Sequence, residues 1–258
     1  GVQGRGLPKK QVDVLLFVEH VARELDIACA IKYLANHRYS MTVEVASMMF
    51  DIRRTLDRLQ PQVVAIPYCF AITSFNVPSL LSVWPCAKYV NLAYEQIFRR
   101  HQLSSKAPGD SFARESVVHH SWAKFNSDFL IENGVRSENI VLNGNPTYSL
   151  YTQPYTSYFP SREELAALHG LDECKNWVFV PENYGAAFGT DRSVRHAGAD
   201  SVDQAQAVSR FALDSFRDAV VWWARLAKEE DVELIVRPRP ATPESKFSKA
   251  VEQHIDAL

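Results

Sequence analysis

The chain has 258 residues, is 47% hydrophobic and 22% charged, and carries a formal net charge of −2. That is enough apolar residue for one large core or two smaller ones, and it leaves no overall basic field for nucleic acid, so any anion site must be local. No apolar run approaches the ~20 residues that span a bilayer, and the opening GVQGRGLPKK lacks the apolar core of a signal peptide.

In chain order, short apolar runs alternate with helical segments. VDVLLFVE (12–19) is predicted as a buried strand, and HVARELDIACAIKYLANH (20–37) as the helix after it. YSMTVEVAS (39–47), QVVAIPYCF (62–70), AKYVNLAYE (87–95), SVVHHSW (116–122) and NIVLNGNP (139–146) are the next strands. FDIRRTLDRLQ (50–60), a short piece around PSLLSVW, and SDFLIENGV (127–135) are the helices between them. Near-continuous apolar strands separated by helices predict a parallel, doubly wound sheet covered on both faces.

After Pro146 the texture changes. Residues 147–160, rich in Tyr, Thr, Ser and Pro, read as a linker between a first domain (1–146) and a second (161–258). Ser161 and Glu164 have capping-box spacing, and Gly170 has the position of a helix stop. NWVFVPE (176–182) and VELIVRP (232–238) are strands. Residues 203–230 form a long helix with Phe216, Val220, Trp223 and Ala227 on its apolar face, and PESKFSKAVEQHI (243–255) is the last helix. Two strands fall short of the five or six of a complete doubly wound domain, so the chain is expected to stop inside its second one.

Ligands of open α/β sheets bind beyond the carboxyl ends of the strands. Arg237 and Arg239 lie at such an end, each fixed by a following proline, with Thr242 placed to cap the next helix. They suit a phosphate clamp, or else a turn whose arginines pair with surface carboxylates. Glu182, Asn183 and Tyr184, in the glycine-containing loop 181–193, form a second donor-side candidate, although no P-loop or GxGxxG pattern is present. Gly144 and Asn145, in NGNP, are expected to line an interdomain hinge and join the donor side.

Glu19 and Glu95 each close a strand and are candidate bases or nucleophiles. Glu95 is preferred, because Glu19 could equally cap the following helix. His119 is the third catalytic candidate; alternation sends it and His120 to opposite faces, so only one of them can reach the cleft. Arg23, Glu24 and Asp26 read as a solvated charged face. The four cysteines include no CxxC pair and no zinc spacing, and three lie in apolar surroundings expected to be core. A reducing cytosol fits them. No DxD-like metal motif occurs, so no metal and no cofactor is expected.

FVEHVARELDIACAIKYLANHRYSMTV resembles the opening of bacterial surface-carbohydrate biosynthesis proteins. VVHHSWAKFNSDFLIENGVRSENIVLNGNP is similar to the passage that ends their N-terminal half, and IVRPRPATP to their late donor-side motif. The resemblance spans roughly 12–146 and 176–245 and implies the two-domain GT-B architecture. It also implies a glycosyltransferase building a bacterial surface polysaccharide from a nucleotide sugar, and the missing DxD-like motif makes a metal-independent one the expectation. Relatives include the Kdo transferases of capsule and O-antigen assembly, which use CMP-Kdo. Where related transferases read His-Pro this chain reads Arg-Pro-Arg-Pro, and YEQ at 94–96 stands nearest their QEP-like glutamate. The implied partners are a nucleotide-sugar donor and a glycan or lipid-linked glycan acceptor, met in the cytoplasm or at the inner face of the membrane. A nucleotide-sugar 2-epimerase of the same architecture, and a non-catalytic nucleotide-sugar-binding module, remain as alternatives.

Overall fold

The computed structural model describes residues 8–96, 103–189, 201–238 and 242–255. The chain divides into two compact units, 1–159 and 160–258.

The first unit is built on a parallel sheet of six strands: β1 (Lys10–Val18), β2 (Val43–Ser47), β3 (Leu59–Ile66), β4 (Lys88–Asn91), β5 (Val117–Ser121) and β6 (Ile140–Leu142). Their order across the sheet is β2-β1-β3-β4-β5-β6. The helices between them are α1 (Val21–Tyr39), α2 (Ile52–Arg58), α3 (Val77–Val83), α4 (Leu103–Lys106) and α5 (Lys124–Glu132). Alternation along β1 separates two cores. Leu15 and Phe17 join Val64, Ile66, Leu80, Trp84 and Tyr89, with Ile52 and Leu56 of α2 packed against them. Leu16 and Val18 join Ala65 and Ala28, with Ile31 and Ala35 of α1 alongside. Both faces of the sheet are therefore covered, as the unbroken apolar strands required. Full burial of a side chain such as Phe17 is worth about 1.5–3 kcal/mol.

The expected linker belongs with this unit. Its residues form two short 3-10 turns, Pro146–Tyr151 and Tyr155–Tyr158. Leu150 is buried, and the Tyr158 hydroxyl bonds Asp26 Oδ1 of α1 at 3.2 Å. The Tyr and Thr content that suggested a linker supplies rings and hydroxyls to a docked strap.

The second unit begins with α6 (Arg162–His169). Ser161 Oγ accepts the Glu164 N–H at 3.2 Å, Glu164 Oε2 accepts the Ser161 N–H at 2.7 Å, and Gly170 closes the helix at φ 66°. The reciprocal cap satisfies two otherwise orphaned donors. Ser161→Ala is expected to lower stability by about 1 kcal/mol in a urea titration, and Ser161→Thr much less.

β7 (Asn176–Pro181) and β8 (Val232–Arg237) pair in parallel, with Pro181 opposite Arg237. Between them come α7 (Gly185–Phe188) and the long α8 (Val202–Leu226), and α9 (Glu244–Ile255) follows. This is one parallel βαβ unit, the repeat from which doubly wound sheets are assembled. Phe216 sits fully buried at its centre, with the rings of Tyr184, Phe188, Trp223 and Phe247 at 5.7, 5.2, 6.0 and 5.8 Å. These are mostly edge-to-face contacts, favoured by ring quadrupoles.

One expectation is corrected here. Only Cys69 is buried, and Cys29, Cys86 and Cys174 are exposed, because their apolar neighbours in sequence point elsewhere. Burial pushes the Cys69 thiol up to about 12, so it serves as an inert core residue. Among the described residues no helix is long and apolar enough to cross a membrane.

Candidate functional site

In the order β2-β1-β3-β4, the chain leaves β1 towards β2 and leaves β3 towards β4, in opposite directions. The loops after β1 and β3 therefore part and leave a crevice at the carboxyl end of the sheet, the place where ligands of such sheets bind. A cavity of about 190 Å³ lies there, lined by Glu19 and His20 after β1, Arg23 of α1, Pro67, Tyr68 and Phe70 after β3, Ala93, Tyr94 and Glu95 after β4, and Lys106 of α4.

Glu24 organises the first of these loops. It is 1% exposed and takes the main-chain N–H groups of Glu19 (2.7 Å) and His20 (3.3 Å) on one carboxylate oxygen. Its other oxygen accepts from Arg23 at 3.0 Å. Glu24, and not Glu19, is thus the carboxylate that caps α1. The expected solvated face at Arg23 and Glu24 is corrected: one charge is fully buried, and it is tolerated because its oxygens are occupied by donors. Arg23 then reaches Glu95 Oε1 at 2.8 Å. Burial works against ionisation of Glu95, but the Arg23 hydrogen bond and the neighbouring positive charges outweigh it and hold the carboxyl below its ordinary range.

Glu19 has the opposite character. Removal from water raises its carboxyl above the ordinary glutamate value, and the neighbouring His20 offsets this only in part. Burial likewise raises the Tyr68 phenol, with the Glu19 charge adding to it, and lowers the Lys106 ammonium. The crevice therefore holds one carboxylate neutralised by an arginine and one poised to take a proton.

The segment carrying Glu95 is held from both sides. Asn91, buried at the tip of β4, accepts from the Cys69 and Ala93 N–H groups at 3.0 and 3.1 Å, and donates to Cys69 O and His119 Nδ1, both at 3.2 Å. All of its hydrogen-bonding groups are used, and they keep Ala93 at φ 45°, a conformation an alanine seldom adopts. Gln96 accepts from the Trp122 N–H at 2.8 Å and donates to His120 O at 2.9 Å. Lys106 donates to Glu95 O at 2.7 Å. No motif marked Asn91; the available signal was an amide at the tip of an apolar strand, in KYVN.

His119 is placed away from the large cavity. It is 1% exposed, and its Nε2–H donates to Ala113 O at 2.6 Å. Nδ1 is then the acceptor for Asn91, and burial lowers the ring's basicity. A neutral imidazole with both nitrogens engaged is a strut between β4, β5 and the turn before β5. His120 is also buried and bonds Leu92 O at 3.2 Å, so neither histidine presents a free ring to the 190 Å³ cavity.

Gly144 adopts φ 83°, which a side chain would strain, but a Cβ there would meet nothing within 4 Å. Asn145 caps the following 3-10 turn by accepting from the Thr147 N–H at 3.0 Å. In the second unit, Glu182 and Arg237 come together at the carboxyl end of the β7–β8 sheet, where the Glu182 N–H bonds Arg237 O at 2.8 Å. The buried Glu182 carboxylate turns back onto the Tyr184 N–H. Tyr184 packs its ring against Phe216 and Trp223 and is a core residue, whereas Asn183 and Arg237 are exposed. Arg239 lies outside the described residues. α9 starts at Glu244, with the Pro243 carbonyl accepting its first bonds, and Thr242 is buried beside it. Among the described residues no cluster of His, Cys, Asp and Glu has the arrangement to hold a metal ion.

No family model matches the chain, and no curated protein matches it in sequence. Among solved structures it is similar to Anabaena HepE, crystallised with UDP and glucose. The identity is 13% and the TM-score 0.41, over 89% of this chain and 70% of that one. It is also similar to a proposed UDP-N-acetylglucosamine 2-epimerase of Listeria monocytogenes, at 14% identity and TM-score 0.44, over 95% of this chain and 71% of that one. At these values the likeness is a loose one of backbone course, and the fold stands on this chain's own sheet order.

Proposed function

We propose that the chain is a glycosyltransferase of GT-B type, moving a sugar from a nucleotide donor to a saccharide acceptor. The observation that carries this reading is the switch-point cavity in which Glu19, its carboxyl raised by desolvation, stands beside the arginine-neutralised Glu95. Glu19 takes the proton of the acceptor hydroxyl as that oxygen attacks the donor's anomeric carbon, and the bond to the nucleotide phosphate breaks. Sequence alone preferred Glu95 for this role. A carboxylate held by a guanidinium is the weaker base, so the order is reversed. Arg23 and Glu24 are positioning residues that fix the loop carrying Glu19.

In the second unit Arg237, exposed at a strand's carboxyl end, takes the departing phosphate charge, with Asn183 beside it. CMP-Kdo is the donor suggested by the sequence resemblance, and surface polysaccharide is the corresponding product.

The test is a product assay with UDP-, GDP- and CMP-linked sugars, with and without a saccharide acceptor, read by mass spectrometry. Transfer that requires acceptor supports the proposal. Isomerised donor formed without acceptor makes the chain an epimerase, and neither product, despite nucleotide binding, makes it a binding module. In a parallel calorimetric titration, Arg237→Ala is expected to weaken nucleotide binding by about 1.5–3 kcal/mol. Unchanged affinity would remove Arg237 from the site.

A further inference from the structure

A smaller cavity of about 10 Å³ adjoins the large one, and the two share Phe70, Ala93, Glu95 and Lys106 in their walls. That volume is room for one oxygen with its hydrogens. Most of the polar groups around it are already spent. Asn91 and His119 use all of theirs, Gln96 holds the Trp122 N–H and His120 O, and Lys106 donates to Glu95 O.

Two buried side chains on this wall keep a bare acceptor. His120 of β5 is 8% exposed and Asn126 of α5 is 5% exposed. His120 Nδ1 meets the Leu92 carbonyl at 3.2 Å, so the neutral ring carries its proton there. Its Nε2 is then an acceptor, without a partner among the described residues. The direction of the Asn126 amide is fixed in a similar way. Ser121 Oγ gives its proton to Ala123 O at 2.9 Å, so towards Asn126 it can only accept, and it does so from Nδ2 at 3.2 Å. Oδ1 is left as the free end of that amide. Buried acceptors of this kind cost folding free energy unless a donor reaches them. Glu95, the carboxylate on the same wall, is already paired with Arg23, so the cavity has no net negative charge to favour an ammonium group. The group that fits is neutral, donates a hydrogen bond and is the size of one oxygen.

We propose that this cavity is a hydroxyl subsite of the crevice: one hydroxyl of a saccharide in the 190 Å³ cavity enters it and donates to His120 Nε2, with Asn126 Oδ1 as the second acceptor. The inference rests on the acceptor reading of the crevice given above. It makes His120 and Asn126 specificity-determining residues, which select an acceptor by the presence of one hydroxyl. A sugar lacking that hydroxyl leaves the two acceptors to a water or unpaired.

The test is calorimetric titration of the full chain with the methyl glycosides of glucose, galactose, mannose and N-acetylglucosamine, then with analogues of the tightest binder that lack one hydroxyl at a time. One deoxy analogue is expected to bind about five- to tenfold more weakly than its parent. In His120→Phe the parent is expected to fall to the level of that analogue, and Asn126→Leu is expected to narrow the difference. His120→Phe gives up the Leu92 hydrogen bond, so its unfolding midpoint is checked first. Wild-type protein carrying heavy-nitrogen histidine supplies a reading that needs no variant. One bare imidazole nitrogen should move upfield with the parent glycoside and keep its position with the deoxy analogue. Equal affinity for the parent and every deoxy analogue overturns the subsite and leaves the cavity to a buried water. So does a difference that survives His120→Phe, or one accompanied by no histidine nitrogen shift. In each of these cases acceptor-dependent transfer in the product assay still stands. Absence of binding by every glycoside also overturns the subsite, and the product assay then tells whether the transferase reading falls with it.

Discussion

Glu19→Gln is expected to reduce sugar transfer by roughly 10²–10⁴-fold, the usual contribution of a general base, with nucleotide affinity unchanged. Glutamine keeps the size and polarity of the side chain and removes only its ability to take a proton. The pH profile supplies an independent reading. Burial raises the Glu19 carboxyl above its ordinary value, so the proton acceptor becomes ionised only at higher pH. The acid limb of kcat/KM should therefore rise with pH through a value above the normal glutamate range, and Glu19→Gln should abolish that limb. If Glu95 were the base, the limb would lie below that range, because Arg23 holds Glu95 ionised, and Glu95→Gln would be the inactive variant. Full turnover in Glu19→Gln would dismiss the assignment. Stability should not fall in this variant, since an amide at position 19 carries no charge to desolvate.

Glu24→Ala is expected to behave in the opposite way, with a loss of about 2–4 kcal/mol of folding stability. The substitution removes three charge-assisted hydrogen bonds at once and leaves the N–H groups of Glu19 and His20 and the Arg23 guanidinium without their acceptor. The estimate stays at the lower part of the range for broken buried ion pairs because Arg23 is 45% exposed and water can partly replace the carboxylate. Glu24→Gln retains an oxygen for the backbone donors and should lose less. The measurement is the urea midpoint at constant slope. A loss within about 0.5 kcal/mol, the range of ordinary surface replacements, would show that Glu24 is not the anchor of the β1–α1 loop. Because that loop carries Glu19, Glu24→Gln should also lower turnover without moving the acid limb, which separates positioning from proton transfer.

The contrast between these two glutamates shows why the site was only half legible. Both lie in the run FVEHVARE, five residues apart. Glu19 ends an apolar strand, and that position alone made it a candidate. Glu24 has the spacing of a helix surface, and nothing local distinguishes it from an exposed residue. Its burial depends on the backbone turn that it caps and on Arg23, whose second partner, Glu95, is 72 residues away. His119 failed in the converse way: a histidine near a strand tip looks catalytic until Ala113 O and the Asn91 side chain are seen to occupy both of its nitrogens.

The sequence by itself determined the type of most elements, the parallel α/β class, the capping box at Ser161 and the aromatic core of the long helix, whereas β2, β3, β4 and β6 each begin or end several residues from their expected limits. What it determined follows from periodicities of 2 and 3.6 and from caps, which act over a few residues. Tertiary structure alone decided the strand order, and with it the crevice between the loops after β1 and β3. It also decided which charged residue is buried, which carboxylate keeps a raised proton affinity, and which cysteine is inert. Those properties depend on the water excluded and the charges gathered by segments distant in the chain, and no local pattern of residues carries that information.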